Sequence, residues 1–131
     1  MELRDGKGSA TLLQWDESDL YIDIAAEVVE QLELRYDDLA FLNNLRNGGE
    51  KGAGLRVLKK ALQAARSKQQ VLVVFVKSEA GDQNRLRDWY LKSGLLVQVP
   101  KRNGNRMANI LIDKEAPLTL RTKDPDEDDL F

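Results

Sequence analysis

The sequence predicts an α/β fold, a mixed sheet with flanking helices, on three observations. Leu55, Leu58, Ala61, Leu62 and Ala65 form one apolar face while Arg56, Lys59, Lys60, Gln63 and Arg66 lie opposite, the pattern of a surface helix packed on a sheet. Directly after it, "VLVVFV" at residues 71–76 is a continuous apolar run of the kind found in strands covered on both faces, as in a parallel sheet. A second helical stretch and two strand-like segments about an Asn-Gly pair complete an αβ crossover followed by a hairpin.

Taken in order, "SATLLQW" at residues 9–15 reads as a strand and "DESD" as a polar turn or helix cap. The next stretch carries two patterns. "LYIDIAAEV" alternates as a strand would, yet from Ala25 onward Val28, Leu32, Tyr36, Leu39, Leu42 and Leu45 recur every three or four positions, as on a helix. The reading adopted is a strand near residues 20–24, then helix within residues 25–34, with "DDLAFLNNL" either strand or helix. The helix from Leu55 ends at "SKQQ", and strand 71–76 follows. "EAGDQNRLRDWYLKSG" predicts a loop and a helix, with Asp82 as N-cap, Leu86, Trp89, Tyr90 and Leu91 on the apolar face, and Gly94 as C-cap. "LLVQVP" and "RMANILID" flank Asn103-Gly104, a hairpin turn signal.

With 131 residues the chain suffices for one domain with a real core, expected over residues 1–120. There is no cysteine and no histidine, which removes disulfides, thiolate chemistry, the commonest zinc ligand and every Ser/His or Cys/His arrangement. No metal site is expected. "MELRDGKGSA" has no apolar core of a secretory signal, and the longest apolar run is too short to cross a bilayer, so the expectation is a cytoplasmic protein away from membranes. The net charge of -2 hides an asymmetry. "DPDEDDLF" carries five acids, leaving residues 1–123 with 20 basic against 17 acidic groups. That is too little for duplex DNA, and no nucleic-acid partner is expected, but it suits a polyanionic cofactor.

Such a cofactor would find a candidate cradle at "GGEKGAGLRVLKKAL", residues 48–62, where glycines crowd the entrance of a helix. They read either as a flexible linker between elements or as an anion site, because the first N–H groups of a helix lack partners and carry the positive end of its dipole. A Walker loop is excluded: Gly49 to Gly54 has the spacing but continues with Leu55-Arg56 instead of Lys and Ser or Thr. A dinucleotide fingerprint is excluded by Val57 where a glycine or alanine would be needed.

A third pattern fits. "GAGLRVL" from Gly52, followed in order by "VLVVFV", "GDQNRLRDWYLKSGL" and "LLVQVPKRNGNRMANILID", resembles the GNAT family of N-acetyltransferases across residues 39–113. The family's glycine segment precedes an apolar helix, a buried strand, a loop with Asn, a helix ending Tyr-x-x-x-Gly and a strand hairpin; Tyr90, Lys92, Gly94 and Leu95 fall in its register. Gly49 stands where the family usually has Arg or Gln, and Gln83 in register with its Asn, with Asn84 beside it. The resemblance implies a GNAT-like fold, shortened in its front half, that binds acetyl-coenzyme A. It implies that the amides of Gly52, Ala53, Gly54, Leu55 and Arg56 hold the pyrophosphate, with Gly49 before them, Lys51 or Arg56 adding charge, and Gln83 or Asn84 serving the cofactor arm. It implies an exposed backbone edge, on a strand at residues 39–42, for the pantetheine chain, and Tyr90 as proton donor to the departing thiolate. The alternative for Tyr90 is a core aromatic. No residue is named as base.

The expected function is therefore acetyl transfer from acetyl-coenzyme A to an amine, on a small molecule or a protein. The alternative is a non-catalytic protein of the same architecture, such as a viral or accessory factor, acting through a partner. The tail ending in Phe131 looks like the acidic tip of bacterial single-stranded DNA-binding proteins; it is expected to be disordered from residue 121, either as a solubilising tail or as a hook for a protein partner.

Overall fold

Alternation along two central strands sets the layering, in a computed structural model that describes residues 1–17, 21–77, 81–100 and 106–116. In β3 (Leu39–Arg46) and β4 (Val71–Phe75), Ala40, Leu42, Leu72 and Val74 enter one core cluster, whereas Leu39, Phe41, Val71 and Val73 enter another. Both faces of these strands are thus covered, the physical reason for the uninterrupted apolar runs. Helices α2 (Ala53–Ser67) and α3 (Gln83–Lys92) pack on the first face, and α1 (Ile22–Leu32) on the second. The chain is α/β with a six-stranded mixed sheet.

The remaining strands are β1 (Glu2–Asp5), β2 (Gly8–Gln14), β5 (Leu96–Pro100) and β6 (Arg106–Asp113), in the sheet order β1-β2-β3-β4-β6-β5. Every neighbouring pair is antiparallel except β3 and β4. That parallel pair is short: Leu39, Ala40 and Phe41 face Val71, Leu72 and Val73, and pairing stops there. β2 continues along the far edge of β3 as far as Arg46, and β6 along the far edge of β4 as far as Phe75. The two central strands therefore part at their C-terminal ends, leaving a fork in the middle of the sheet.

The strand at residues 9–15, the helix from Leu55, the strand at 71–76 and the helix before Gly94 all form close to their expected bounds. Two departures are instructive. Residues 22–24, expected within a strand, open α1 instead, because the three-to-four-residue period lets Ala25 and Val28 bury fully with Ile24, Val29 and Leu32 beside them. Asp23 in the first turn suits the helix dipole. In "DDLAFLNNL" the two aspartates end a short 3-10 turn (Tyr36–Asp38) and the rest is strand, since all of residues 39–42 are buried, which one helical face cannot achieve. β1 was not anticipated: of its four residues only Leu3 packs on the core, and three are charged. Asp82 flanks α3 without a side-chain cap bond, and Ser93 takes the C-cap, with Gly94 following at φ +75°. Asn103-Gly104 and the acidic end with Phe131 lie outside the described residues.

One polar pair fastens the fold. Arg66, in the last turn of α2, donates two hydrogen bonds of 2.7 Å to the carboxylate of Asp113, which is 1% exposed at the end of β6. The Glu115 backbone N–H donates to the same group. Asp113→Ala leaves a half-covered guanidinium without its fork partner; the expected cost is about 2–3 kcal/mol in urea denaturation, and a change under about 0.5 kcal/mol would show the pair to be decorative.

Candidate functional site

The fork is a site because the strands stop pairing before they end. Among the described residues no strand pairs with the fork-facing edge of residues 42–46, whose other edge is taken by β2. Asn44 adopts φ +55° where the β2–β3 register shifts by one residue, the mark of a bulge in this arm. Between the arms lies a cavity of about 1330 Å³, large enough for an extended cofactor. Residues 42–46 line one wall, Val74, Phe75 and Lys77 the other, and α3 contributes Arg85, Leu86, Trp89 and Tyr90. The glycine loop closes one end with Gly48, Gly49, Lys51, Gly52, Gly54 and Leu55. The position follows a general rule for α/β sheets, that ligands collect outside the carboxyl ends of parallel strands.

The loop is held from behind. Asn47 accepts, at its side-chain oxygen, from the Gly49 N–H and, at its backbone carbonyl, from Glu50 N–H. Arg56, whose head was a candidate for phosphate binding, turns away: its guanidinium donates to Asp5 at 3.0 Å and to Glu50. These carboxylates hold Arg56 more firmly protonated than usual, and the guanidinium holds the Asp5 carboxyl below its ordinary range. Lys60 also reaches Asp5 and the Arg4 carbonyl. The turn between β1 and β2 thereby buttresses the loop, and Gly48 sits where a Cβ would lie 2.0 Å from the Lys7 carbonyl oxygen, at φ +63°. Gly48→Ala combines left-handed strain with a backbone collision and is expected to cost about 2–5 kcal/mol by urea denaturation. Gly49→Ala, at φ +85° with open space around it, carries only the strain, about 1–2 kcal/mol. Equal losses would mean that Lys7 does not bear on the loop.

In front, the loop is open. Ala53 N–H donates to Glu50 and Arg56 N–H to Gly52, but the amides of Lys51, Gly52, Gly54 and Leu55 have no acceptor among the described residues. They stand at the first turn of α2, where the helix dipole adds positive potential. Arg46, Lys51, Lys77 and Arg85 line the same cavity; among the described residues none is within ion-pair distance of an acid, and Asp82 is the single acid of the lining. The cavity is therefore cationic.

Two tyrosines meet at the fork from opposite faces of the sheet. Tyr90 comes from α3 and the first core cluster; Tyr21, preceding α1, comes from the second. Tyr21 stacks on Phe41 with ring centres 4.8 Å apart and donates to the Asn43 side-chain oxygen at 3.2 Å. Tyr90 is 5% exposed, and burial, with a smaller contribution from Tyr21, pushes its hydroxyl up to about 12. That hydroxyl makes no hydrogen bond among the described residues.

Of the residues singled out in the sequence, Gly49, Lys51, Gly52, Gly54, Leu55 and Tyr90 gather on this cavity. Ala53, Arg56, Gln83 and Asn84 do not line it. Ala53 is buried, in a position where a Cβ on Gly8 would press on its carbonyl; Gln83 donates to the Val76 carbonyl at 3.0 Å, tying α3 to the end of β4; Asn84 faces solvent. The open backbone edge lies at residues 42–46, beyond the 39–42 span anticipated, since residues 39–41 are paired with β4. Tyr21, Asn43, Asn44, Arg46, Lys77 and Arg85 were not anticipated, because strand divergence is a tertiary event; the polar run Asn43, Asn44, Arg46, Asn47 immediately before the glycines was the signal available. Among the described residues no helix is long and apolar enough to cross a membrane, and no group of three or more acidic, histidine or cysteine side chains could hold a metal ion. Compared with known proteins, the chain matches no family model, no curated protein and no solved structure.

Proposed function

We propose that the chain is an N-acetyltransferase of GNAT-like fold that takes acetyl-coenzyme A into the β3–β4 fork. The observation that carries the reading is the convergence, in one cationic cavity, of four open amides at the start of α2, an unpaired strand edge and the Tyr90 hydroxyl. The order β3, α2, β4, α3, hairpin accords with the resemblance in the sequence.

Each part of the cavity fits one part of this cofactor. The amides of Lys51, Gly52, Gly54 and Leu55 are donors for a pyrophosphate, and the Lys51 side chain supplies the charge that Arg56, paired elsewhere, does not. The fork-facing N–H and C=O groups of residues 42–46 offer strand-like partners to an amide-bearing chain. When bound, acetyl-coenzyme A supplies a thioester carbonyl that an amine can attack with release of a thiolate. Tyr90 holds the proton for that thiolate, and the high value of its hydroxyl keeps it loaded at neutral pH. Among the described residues Asp82 is the one carboxylate that lines the cavity, and in this reading the amine proton leaves through water.

Calorimetric titration with coenzyme A tests the reading. Binding in the micromolar range is expected, followed by thiol release from acetyl-coenzyme A in the presence of a panel of small amines and peptides. Absence of heat at millimolar coenzyme A would overturn the cofactor assignment; binding with no thiol release on any amine would leave the cradle and remove the transferase.

A further inference from the structure

We infer that Trp89 and Arg85, one turn apart on α3, form a purine-nucleotide subsite beside the open amides, with the indole carrying the base and the guanidinium reading a phosphate on its ribose. The inference rests on the coenzyme A reading of the fork. Trp89 is a poor core residue: it is 40% exposed although it lines the cavity wall. An indole left so open to water gains most from a flat partner. Its orientation is fixed nonetheless. The ring meets Tyr90 edge-on, with centres 5.1 Å apart at 74°, and its benzene-ring atoms Cη2 and Cζ2 lie 3.7 Å from where a Cβ on Gly54 would stand. The indole therefore lies against Gly54, whose amide is one of those proposed to hold the pyrophosphate.

Arg85 precedes Trp89 by four residues and so shares its face of α3. It too lines the cavity, is exposed, and has no ion-pair or hydrogen-bond partner among the described residues. An aromatic shelf with a free guanidinium at its side, adjacent to a phosphate cradle, matches the end of a cofactor in which an adenine, a 5′-pyrophosphate and a 3′-phosphate meet on one sugar. The geometry thus divides the cavity: nucleotide at Trp89, Arg85 and the loop, acyl arm toward Tyr90 and the fork.

The test uses the full chain and two ligands, coenzyme A and dephospho-coenzyme A, which differ only in the 3′-phosphate. Arg85→Gln is expected to weaken coenzyme A about tenfold while leaving dephospho-coenzyme A unchanged. Trp89→Leu is expected to weaken both about tenfold or more, and Trp89→Phe to keep most of the affinity, because a ring is retained. In a Trp15→Phe background both ligands should quench the remaining tryptophan. Wild-type binding that neither Arg85→Gln nor Trp89→Leu alters, or a loss in Arg85→Gln that is equal for the two ligands, overturns the subsite and leaves the cofactor reading standing. No binding of coenzyme A to the wild-type chain overturns both. Should Trp89→Leu fail to fold, Arg85→Gln at an exposed position and the quenching measurement decide alone.

Discussion

Tyr90→Phe is expected to lower acetyl-transfer turnover by about ten- to ten-thousand-fold while leaving the affinity for coenzyme A nearly unchanged. The substitution removes one oxygen and little packing. The ring stays on the apolar face of α3, edge-on to Trp89, within the cluster that includes Leu86 and Leu96. Because the hydroxyl has no hydrogen-bond partner among the described residues, its loss leaves no donor or acceptor stranded there, so stability should change by less than about 1 kcal/mol. A residue that served only the core would behave the same way in denaturation but would not touch turnover, which is why the two measurements are made together. Unchanged turnover in an otherwise active enzyme would assign Tyr90 to the core.

The pH dependence follows from the direction of the shift. Burial raises the Tyr90 hydroxyl from its ordinary 10.0 to about 12, so the protonated form is favoured in the folded chain. Its contribution to stability is fully present below pH 10.0 and is lost as pH rises from there towards about 12, since the unfolded chain gives up the proton first. For turnover, Tyr90 should contribute no descending limb anywhere in the neutral range. A basic limb near pH 8 that disappears in Tyr90→Phe would contradict this environment.

How much of this was legible in the sequence depended on whether the signal was local. The helix at Leu55 and the strand at Val71 carry their own periods, and the tertiary structure only confirms where they stop. Residues 22–24 alternate as a strand would, but they run straight into the helical period that starts at Ala25. The decision for helix came from Ala25 and Val28 meeting Phe41 and Val73 in one cluster, contacts that no local pattern contains. At the site the same division appears. Glycines at a helix entrance and a tyrosine in register are visible as letters, whereas Tyr21, Lys77 and Arg85 reach the cavity only because β3 and β4 diverge after three paired residues. Arg56 shows the opposite failure. Its place beside the glycines suggested a phosphate ligand, but the β1–β2 turn brings Asp5 against it from 51 positions away, and a short exposed strand that few apolar residues announce is what makes that contact.

Gly54→Leu should abolish measurable coenzyme A binding, a loss of at least about a hundredfold or ~2.7 kcal/mol, in a chain that still folds. Gly54 is buried at the second position of α2, with a negative φ that any residue could adopt, so conformation does not require glycine here. Space does. A Cβ at this position would stand 3.7 Å from Trp89 and 3.8 Å from the Asn47 Cβ, ordinary contact distances, and Gly54→Ala is accordingly expected to bind coenzyme A nearly as well as wild type and to gain about 0.5–1 kcal/mol from helix propensity. The atoms beyond Cβ have only two ways to go. They push the indole off the helix, or they enter the cavity in front of the Gly54 and Leu55 amides, where the pyrophosphate is proposed to sit. Either route removes the cradle while sparing the sheet, so circular dichroism and the urea midpoint should stay close to wild type as titration heat disappears. If the leucine variant binds coenzyme A as tightly as the alanine variant, the amides at the entrance of α2 are not where the diphosphate rests, and the cofactor must be sought elsewhere along the fork.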